Sequence, residues 1–128
     1  RIADHPGLVV IGATNRRDAL DAALLRPGRF ELQERVGPPT ASDRVEILRV
    51  LTRGMPLAAE VELDAIARAT AEATGAQLQA LLRRAALTAV DALIATHGIE
   101  GAIDLRRELA ITQEQLLAAG RSGGVEED

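Results

Sequence analysis

The first part of the chain places its apolar residues in short, separated runs. Residues 8–11 (LVVI) are uniformly apolar and mostly β-branched, which favours a strand buried in a parallel sheet over a buried helix segment of the same length. Residues 30–36 (FELQERV) alternate loosely and predict a second strand. Between them, Asp21 is placed to cap a brief helix that Pro27 and Gly28 end. This part of the chain therefore predicts a short α/β segment.

The pattern becomes helical after the breaker at residues 37–39 (GPP), where a domain boundary is expected. Beyond it, apolar residues recur at spacings of three and four, which predicts four amphipathic helices. The third and longest is expected to end at His97 and Gly98, and the last at Gly120. The predicted apolar positions are Ile47, Leu48 and Leu51; Leu63, Ile66, Ala67 and Thr70; Leu78, Leu81, Leu82, Ala85, Ala89 and Leu93; and Ile111 with Leu116 around the start of the last helix.

Three of the predicted helices begin at a threonine whose side chain can cap the first turn. Thr40 precedes Asp43 by three residues and Thr112 precedes Gln115 by three, which is the spacing of a capping box. Thr74 occupies the corresponding cap position before the third helix. These local signals predict that this part of the chain folds as a helical unit.

Composition excludes several function classes. The 128 residues contain no Cys, which excludes disulfides and thiolate metal sites and makes a cytoplasmic location the expectation. A net charge of −4 argues against nucleic acid as a partner. No apolar run approaches the ~20 residues that a membrane span needs. All 15 basic residues are Arg, so this chain alone cannot form a complete phosphate-binding loop, which needs a Lys.

Two arginines, Arg26 and Arg29, flank a Pro-Gly turn directly after the predicted brief helix. A guanidinium group is always charged and meets phosphate oxygens bidentately, and a rigid turn would project both groups outward. Local chemistry also permits a solvated pair bridged to Asp21 or Glu31. The two His are far apart in sequence and no Ser has a neighbouring base, so the sequence indicates no self-contained hydrolase or metal site.

Three motifs in order give the chain a family resemblance. Residues 9–16 (VVIGATNR) and 24–30 (LLRPGRF) resemble the second region of homology of classical AAA ATPases, closest to the valosin-containing-protein type. Residues 75–78 (GAQL) lie where that family carries a Gly-Ala-Asp-Leu signature. The likeness covers about residues 9–95, and the ordered spacing of the motifs makes it far more specific than any one of them alone.

The resemblance implies a role for five residues. Asn15 matches the sensor-1 position, which helps to orient the attacking water near the γ-phosphate. Arg26 and Arg29 match the arginine fingers, which reach the nucleotide of the neighbouring subunit and neutralise charge on the transferred phosphoryl group. Gly75 and Ala76 match the sensor-2 turn, where backbone at a helix start lies against adenine and ribose.

The sequence departs from the family pattern at four places. Arg17 stands where Pro is usual, so a less rigid loop after the sensor position is expected. Glu31 replaces Asp, which is a mild change. Glu72-Ala73 replaces Gly-Phe, and Gln77 replaces the Asp of the lid signature. The last two put the nucleotide contacts of the lid in doubt, whereas the finger assignment is unaffected.

The resemblance also implies an organisation for the chain. Residues 1–38 would be the C-terminal remnant of the AAA α/β core, residues 39–120 the helical lid subdomain, and residues 121–128 a flexible acidic tail. The expected fold class is mainly α: a four-helix AAA lid subdomain preceded by a short α/β remnant with two strands. The family sheet places another strand between those two, so they are not expected to pair with each other.

The implied parent is an ATPase that uses ATP and Mg²⁺. It would assemble as a homo-hexamer through the arginine-finger face and remodel or unfold protein substrates, with no nucleic acid and no membrane partner. The family's Walker A and Walker B motifs are absent from the sequence, so the chain alone is expected to bind no nucleotide tightly and to turn over no ATP. The alternatives are a stand-alone helical protein-binding module and a clamp-loader-type lid acting with DNA, which the acidic charge disfavours.

Overall fold

The computed structural model describes residues 7–122, and the chain divides into two compact units, Arg1–Gly37 and Pro38–Asp128. Within the described residues all four α-helices lie in the second unit, which confirms the mainly helical fold class. An isolated parallel bridge joins Leu57 to Ile111. The helices are α1 (Ala41–Leu51), α2 (Leu63–Ala69), α3 (Gly75–Asp104) and α4 (Gln113–Ser122).

Local capping fixes where three of the helices begin, as predicted. The Thr40 hydroxyl accepts a hydrogen bond from the Asp43 backbone N–H, and the Asp43 carboxylate accepts one from the Thr40 backbone N–H at 2.9 Å. Hydrogen bonds from Thr40 hold the pKa of Asp43 below its usual value. The same reciprocal pairing recurs between Thr74 and Gln77 and between Thr112 and Gln115.

The predicted apolar stripes form the core of the helical unit. Every predicted position in the stripe of α3 is buried except Leu93, which is half-buried. The bulky side chains with less than 2% exposure come from α1, α2, α3, α4 and the segment before α4. Burying apolar surface of this kind is the main force that holds helices together. These side chains are Leu48, Ile66, Leu78, Ile111 and Leu116.

Of two predicted helix ends, one is confirmed and one differs. Gly98 has φ 69° and ψ 173°, a conformation essentially restricted to glycine, so the regular helix ends there as predicted, and a second helical stretch follows the kink as far as Asp104. Gly120 does not end α4, which continues to Ser122. A side chain at position 120 would bring its Cβ within 3.2 Å of Leu81, so this glycine allows α4 to pack closely against α3.

Helix α3 is also long and apolar. An 18-residue window within it has a mean hydropathy of 1.2 and is 11% buried, so α3 could cross a membrane by length and composition alone. Core helices of soluble proteins meet the same criterion, and Leu78, Leu81 and Leu82 of α3 lie in the core of the helical unit. The absence of a membrane partner therefore stays a prediction.

The two predicted strands of the first unit are wrong for the described residues. Residues 8–14 and 31–36 have no regular secondary structure, and the unit instead has short 3-10 helices at Arg17–Ala19 and Ala22–Leu25. Val9 is 82% exposed. A strand needs a neighbour to pair its backbone groups, and no ladder exists in residues 7–37. High β-propensity alone therefore does not make a strand here.

Candidate functional site

The Arg-Pro-Gly-Arg segment forms a tight turn, as its sequence predicts. The Arg29 backbone N–H donates to the Arg26 carbonyl at 3.2 Å, and Gly28 has φ 78°, as position i+2 of a type II turn requires. The Phe30 N–H donates to the Leu24 carbonyl at 3.0 Å and closes the base of the loop. Upstream, Asp21 caps the short helix as predicted, accepting from the Ala23 N–H at 2.9 Å. The backbone between the two arginines is therefore held at several points.

The two arginine side chains of this turn have different surroundings. Both residues are exposed, but Arg29 Nη1 donates to the Ala23 carbonyl at 2.7 Å. Among residues 7–122, no group accepts a hydrogen bond from the Arg26 guanidinium. In the same range, neither arginine pairs with Asp21 or Glu31; Asp21 caps a helix, and Glu31 accepts from the Gly28 N–H at 3.2 Å.

The segment that carries Asn15 lies beside the turn. A Cβ added to Gly12 would lie 3.3 Å from the ring of Phe30, so the only aromatic side chain of the protein covers this glycine. Asn15 itself is exposed in a bend before the 3-10 helix at Arg17–Ala19. Arg17 replaces the Pro of the family pattern, and its carbonyl accepts from the Leu20 N–H at 3.2 Å. The structure thus brings Gly12, three residues before Asn15, against Phe30, which directly follows the arginine turn.

Gly75 and Ala76 are the first residues of α3, in the second unit. Gly75 is half-buried and Ala76 is exposed, and no atom lies within 4 Å of where a Cβ of Gly75 would be. The Thr74 hydroxyl caps the Gln77 N–H, whereas the N–H groups of Gly75 and Ala76 have no partner within the helix and could meet a ligand. Gln77, the departure from the family Asp, supplies the second half of the Thr74 capping box. The helix start therefore keeps its cap without the acidic residue.

The loop before α3 contains a strained residue. Glu72 has φ 61°, in the left-handed region that disfavours side chains, and it stands where the family pattern has Gly. The sequence showed this departure, but its backbone cost follows only from the structure.

Replacing Glu72 with Gly should therefore raise the free energy of unfolding of the chain by about 0.5–1 kcal/mol, because relief of left-handed strain exceeds the extra chain entropy of glycine. Urea denaturation followed by circular dichroism measures this change. Glu72→Ala is the matched control, since it removes the charge but keeps the strain, and it should have little effect. An equal gain from Ala would trace the effect to charge instead.

Arg44 is a buried arginine that sequence reasoning did not select. It is 7% exposed, and its Nε and Nη2 donate to the Ala67 carbonyl at 3.1 and 3.0 Å. Its Nη1 donates to the Pro39 carbonyl at 2.9 Å. The Ala67 carbonyl lies in the last turn of α2, where a helix dipole favours a cation. Arg44 therefore ties the start of the helical unit to the end of α2.

No metal site accompanies these residues in the described part of the chain. In residues 7–122, no group of three His, Asp or Glu side chains is close enough to hold an ion. Two cavities of about 480 and 300 Å³ lie along α4, and neither is lined by any of the five predicted site residues. The arginine turn and the start of α3 lie in different units, so each is a separate element of the candidate site.

Comparison with known proteins finds a family match that includes the arginine turn. Residues 2–38 match the family model described as ATPase family associated with various cellular activities (AAA). This range includes the Gly12–Phe30 contact, Asn15 and both arginines of the turn. Together with the curated relatives, the match supports a segment of an AAA+ ATPase.

These relatives are FtsH proteins. The chain is 54% identical over 86 residues to the ATP-dependent zinc metalloprotease FtsH 2 of Symbiobacterium thermophilum, which is 67% of this chain and 15% of that protein. It is 40% identical over 127 residues to the ATP-dependent zinc metalloprotease FtsH of Mycoplasmopsis pulmonis, covering 91% of this chain and 17% of that protein. The chain thus spans about a sixth of the length of these relatives.

The relatives correct one expectation. The comparisons support likeness to FtsH and not the specific likeness to the valosin-containing-protein type. The three motifs therefore did not indicate which type of protein the chain is most similar to.

Proposed function

We propose that this chain is the sensor, arginine-finger and lid segment of an ATP-hydrolysing AAA+ protein that works as a homo-hexamer on protein substrates. The observation that carries the proposal is the hydrogen-bonded turn that presents Arg26, within the residues that match the AAA family model. The ATP dependence in the names of the FtsH relatives supports it. The cytoplasmic location stays a prediction that rests on the absence of Cys.

In this proposal, Arg26 and Arg29 form a positive surface that faces the nucleotide of the next subunit. A guanidinium aimed at the transferred phosphoryl group stabilises charge that develops in the transition state. Asn15, in the segment packed beside the turn, positions the attacking water through its amide. The backbone at Gly75 and Ala76 lies against adenine and ribose, and the absence of larger side chains at this helix start leaves room for the base.

The remaining parts of an ATPase site must come from elsewhere in the complete protein. The chain contains no Lys for the phosphates, and residues 7–122 hold no cluster of metal ligands for Mg²⁺ or for the zinc in the names of the relatives. Bound Mg²⁺ would neutralise phosphate charge. These residues do not fit a metal site, so the proposal assigns none of them to a metal.

The experiment compares ATP hydrolysis by the complete protein above and below the concentration at which it assembles. Because the arginines act on a neighbouring subunit, activity per subunit should fall as the ring dissociates, whereas binding of a fluorescent ATP analogue should persist. The isolated 128-residue chain should hydrolyse no ATP with Mg²⁺ present. Full activity in monomers, or metal-dependent turnover by the isolated chain, would contradict the proposal.

A stand-alone protein-binding module is the second candidate. It is favoured by the separate core of the second unit and by the capping boxes at the starts of α1, α3 and α4. This candidate predicts that replacing Arg26 leaves the activity of the complete protein unchanged, which separates it from the ATPase proposal.

A further inference from the structure

The arginine turn is asymmetric in its hydrogen bonds. Arg29 Nη1 donates a hydrogen bond to the Ala23 carbonyl, six residues earlier in the chain, at 2.7 Å. Arg26 makes no such bond among the described residues. From the other side, the Glu31 carboxylate accepts from the Gly28 N–H at 3.2 Å. The side chains of Arg29 and Glu31 are thus both hydrogen-bonded to backbone groups in or just before the turn.

We infer that the two arginines divide their tasks: Arg26 contacts the neighbouring nucleotide, and Arg29 is a positioning residue that holds the turn for Arg26. This inference rests on the proposed function and adds to it. Its carrying observation is the juxtaposition of the Arg29 guanidinium with the Ala23 carbonyl. Glu31 assists by fixing the N–H of Gly28 at the tip of the turn.

The geometry of hydrogen bonding supports this division. Bidentate phosphate binding uses two parallel N–H donors of one guanidinium, and Arg29 already directs one terminal nitrogen at a carbonyl. This bond holds the Arg29 guanidinium against its own loop, so its remaining N–H donors could reach a phosphate only from that fixed position. Among residues 7–122 the Arg26 guanidinium makes no hydrogen bond, so a phosphate contact by Arg26 breaks none in this range. Holding the turn also reduces the conformational entropy that Arg26 must lose on reaching its target.

Positioning residues act through another residue, which a double-mutant cycle detects. In the complete protein, ATP hydrolysis would be measured for Arg26→Ala, Arg29→Ala and the double variant. Arg29→Ala alone should lower kcat by about 10-fold with KM within about twofold, since it loosens the turn without touching substrate. In the Arg26→Ala background, the same change should have almost no further effect. Arg29→Lys, which can still donate to the Ala23 carbonyl, should restore part of kcat.

The outcomes separate the inference from the function on which it rests. If Arg26→Ala leaves kcat unchanged, the proposed function fails. If Arg26→Ala lowers kcat and Arg29→Ala lowers it by the same further factor in the double variant as it does alone, both arginines contact the nucleotide, and the division of tasks is wrong. An Arg29→Ala variant with unchanged kcat would also overturn it. Thermal unfolding of each variant checks that the fold is intact.

A second measurement needs no activity. In the isolated chain, nuclear magnetic resonance of guanidinium groups should show hindered rotation for Arg29 and free rotation for Arg26, because among residues 7–122 Arg29 is bonded to a carbonyl and the Arg26 guanidinium is not. Arg35, which is exposed, serves as the reference for a solvated arginine. Equal and free rotation of Arg26 and Arg29 would overturn the inference even where the kinetic variants fail to assemble.

Discussion

Replacing Arg26 with Ala in the complete protein is expected to lower the rate constant of ATP hydrolysis by about 10³-fold or more. The side chain lies exposed on a turn held by the Arg29-to-Arg26 and Phe30-to-Leu24 backbone bonds. Its charge meets the phosphoryl group mainly in the transition state, so nucleotide affinity should change by no more than about twofold. Steady-state hydrolysis and titration with a fluorescent ATP analogue measure the two quantities separately.

Two variants control for this experiment. Arg26→Lys keeps the charge without the bidentate geometry, so an intermediate rate is expected. Arg53→Ala removes another exposed arginine, located after α1 in the other unit, and should leave the rate unchanged. A large loss of nucleotide affinity with an unchanged rate constant would show that Arg26 binds the ground state instead.

The helical unit could be predicted closely because its signals are local. A capping box such as Thr40 with Asp43 uses residues three apart, and an apolar stripe such as that of α3 uses residues three and four apart. Both are complete within one helix, so no knowledge of distant contacts is needed. The same logic holds for the Pro-Gly turn, whose type follows from two residues.

The errors arise where structure depends on distant contacts. A β-branched run such as residues 8–11 forms a strand only beside another strand, and the described residues hold no ladder. Gly120 signals a helix end by its chemistry, but contact with Leu81 gives it a packing role inside α4. Local preference therefore gave the wrong result at both places.

The candidate site, too, was predicted from the sequence only where its signals are local. The sequence identified Arg26 and Arg29 as a pair, yet which of them is bonded depends on the position of the Ala23 carbonyl. The sequence assigned no role to Arg44, because its burial depends on the packing of α1 against α2. Arginine is rarely buried without a partner, so a buried one is informative only after the fold is known.

Replacing Arg44 with Ala should lower the free energy of unfolding of the helical unit by about 4 kcal/mol. The change removes three hydrogen bonds of the guanidinium, leaves the Pro39 carbonyl without this donor and leaves the Ala67 carbonyl the 3.4 Å bond from the Thr70 hydroxyl. Loss of the partner of a buried polar group costs about 1–3 kcal/mol. Loss of the packed side-chain stem adds to this cost. Chemical denaturation of the chain, followed by helical circular dichroism, measures the difference.

Variants at two positions show which property of Arg44 matters. Arg44→Met keeps the apolar stem but removes every donor, so it should recover only a small part of the loss. Arg44→Lys places one nitrogen where the guanidinium uses three, so the free energy of unfolding of this variant should lie between those of Arg44→Met and the unchanged protein. Arg49→Ala removes an exposed arginine on the same helix, paired with Glu46 at the surface, and should change stability by less than about 1 kcal/mol. Equal losses at both positions would indicate general helix propensity, whereas full stability of Arg44→Met would mean that the two carbonyls find water once the guanidinium is gone.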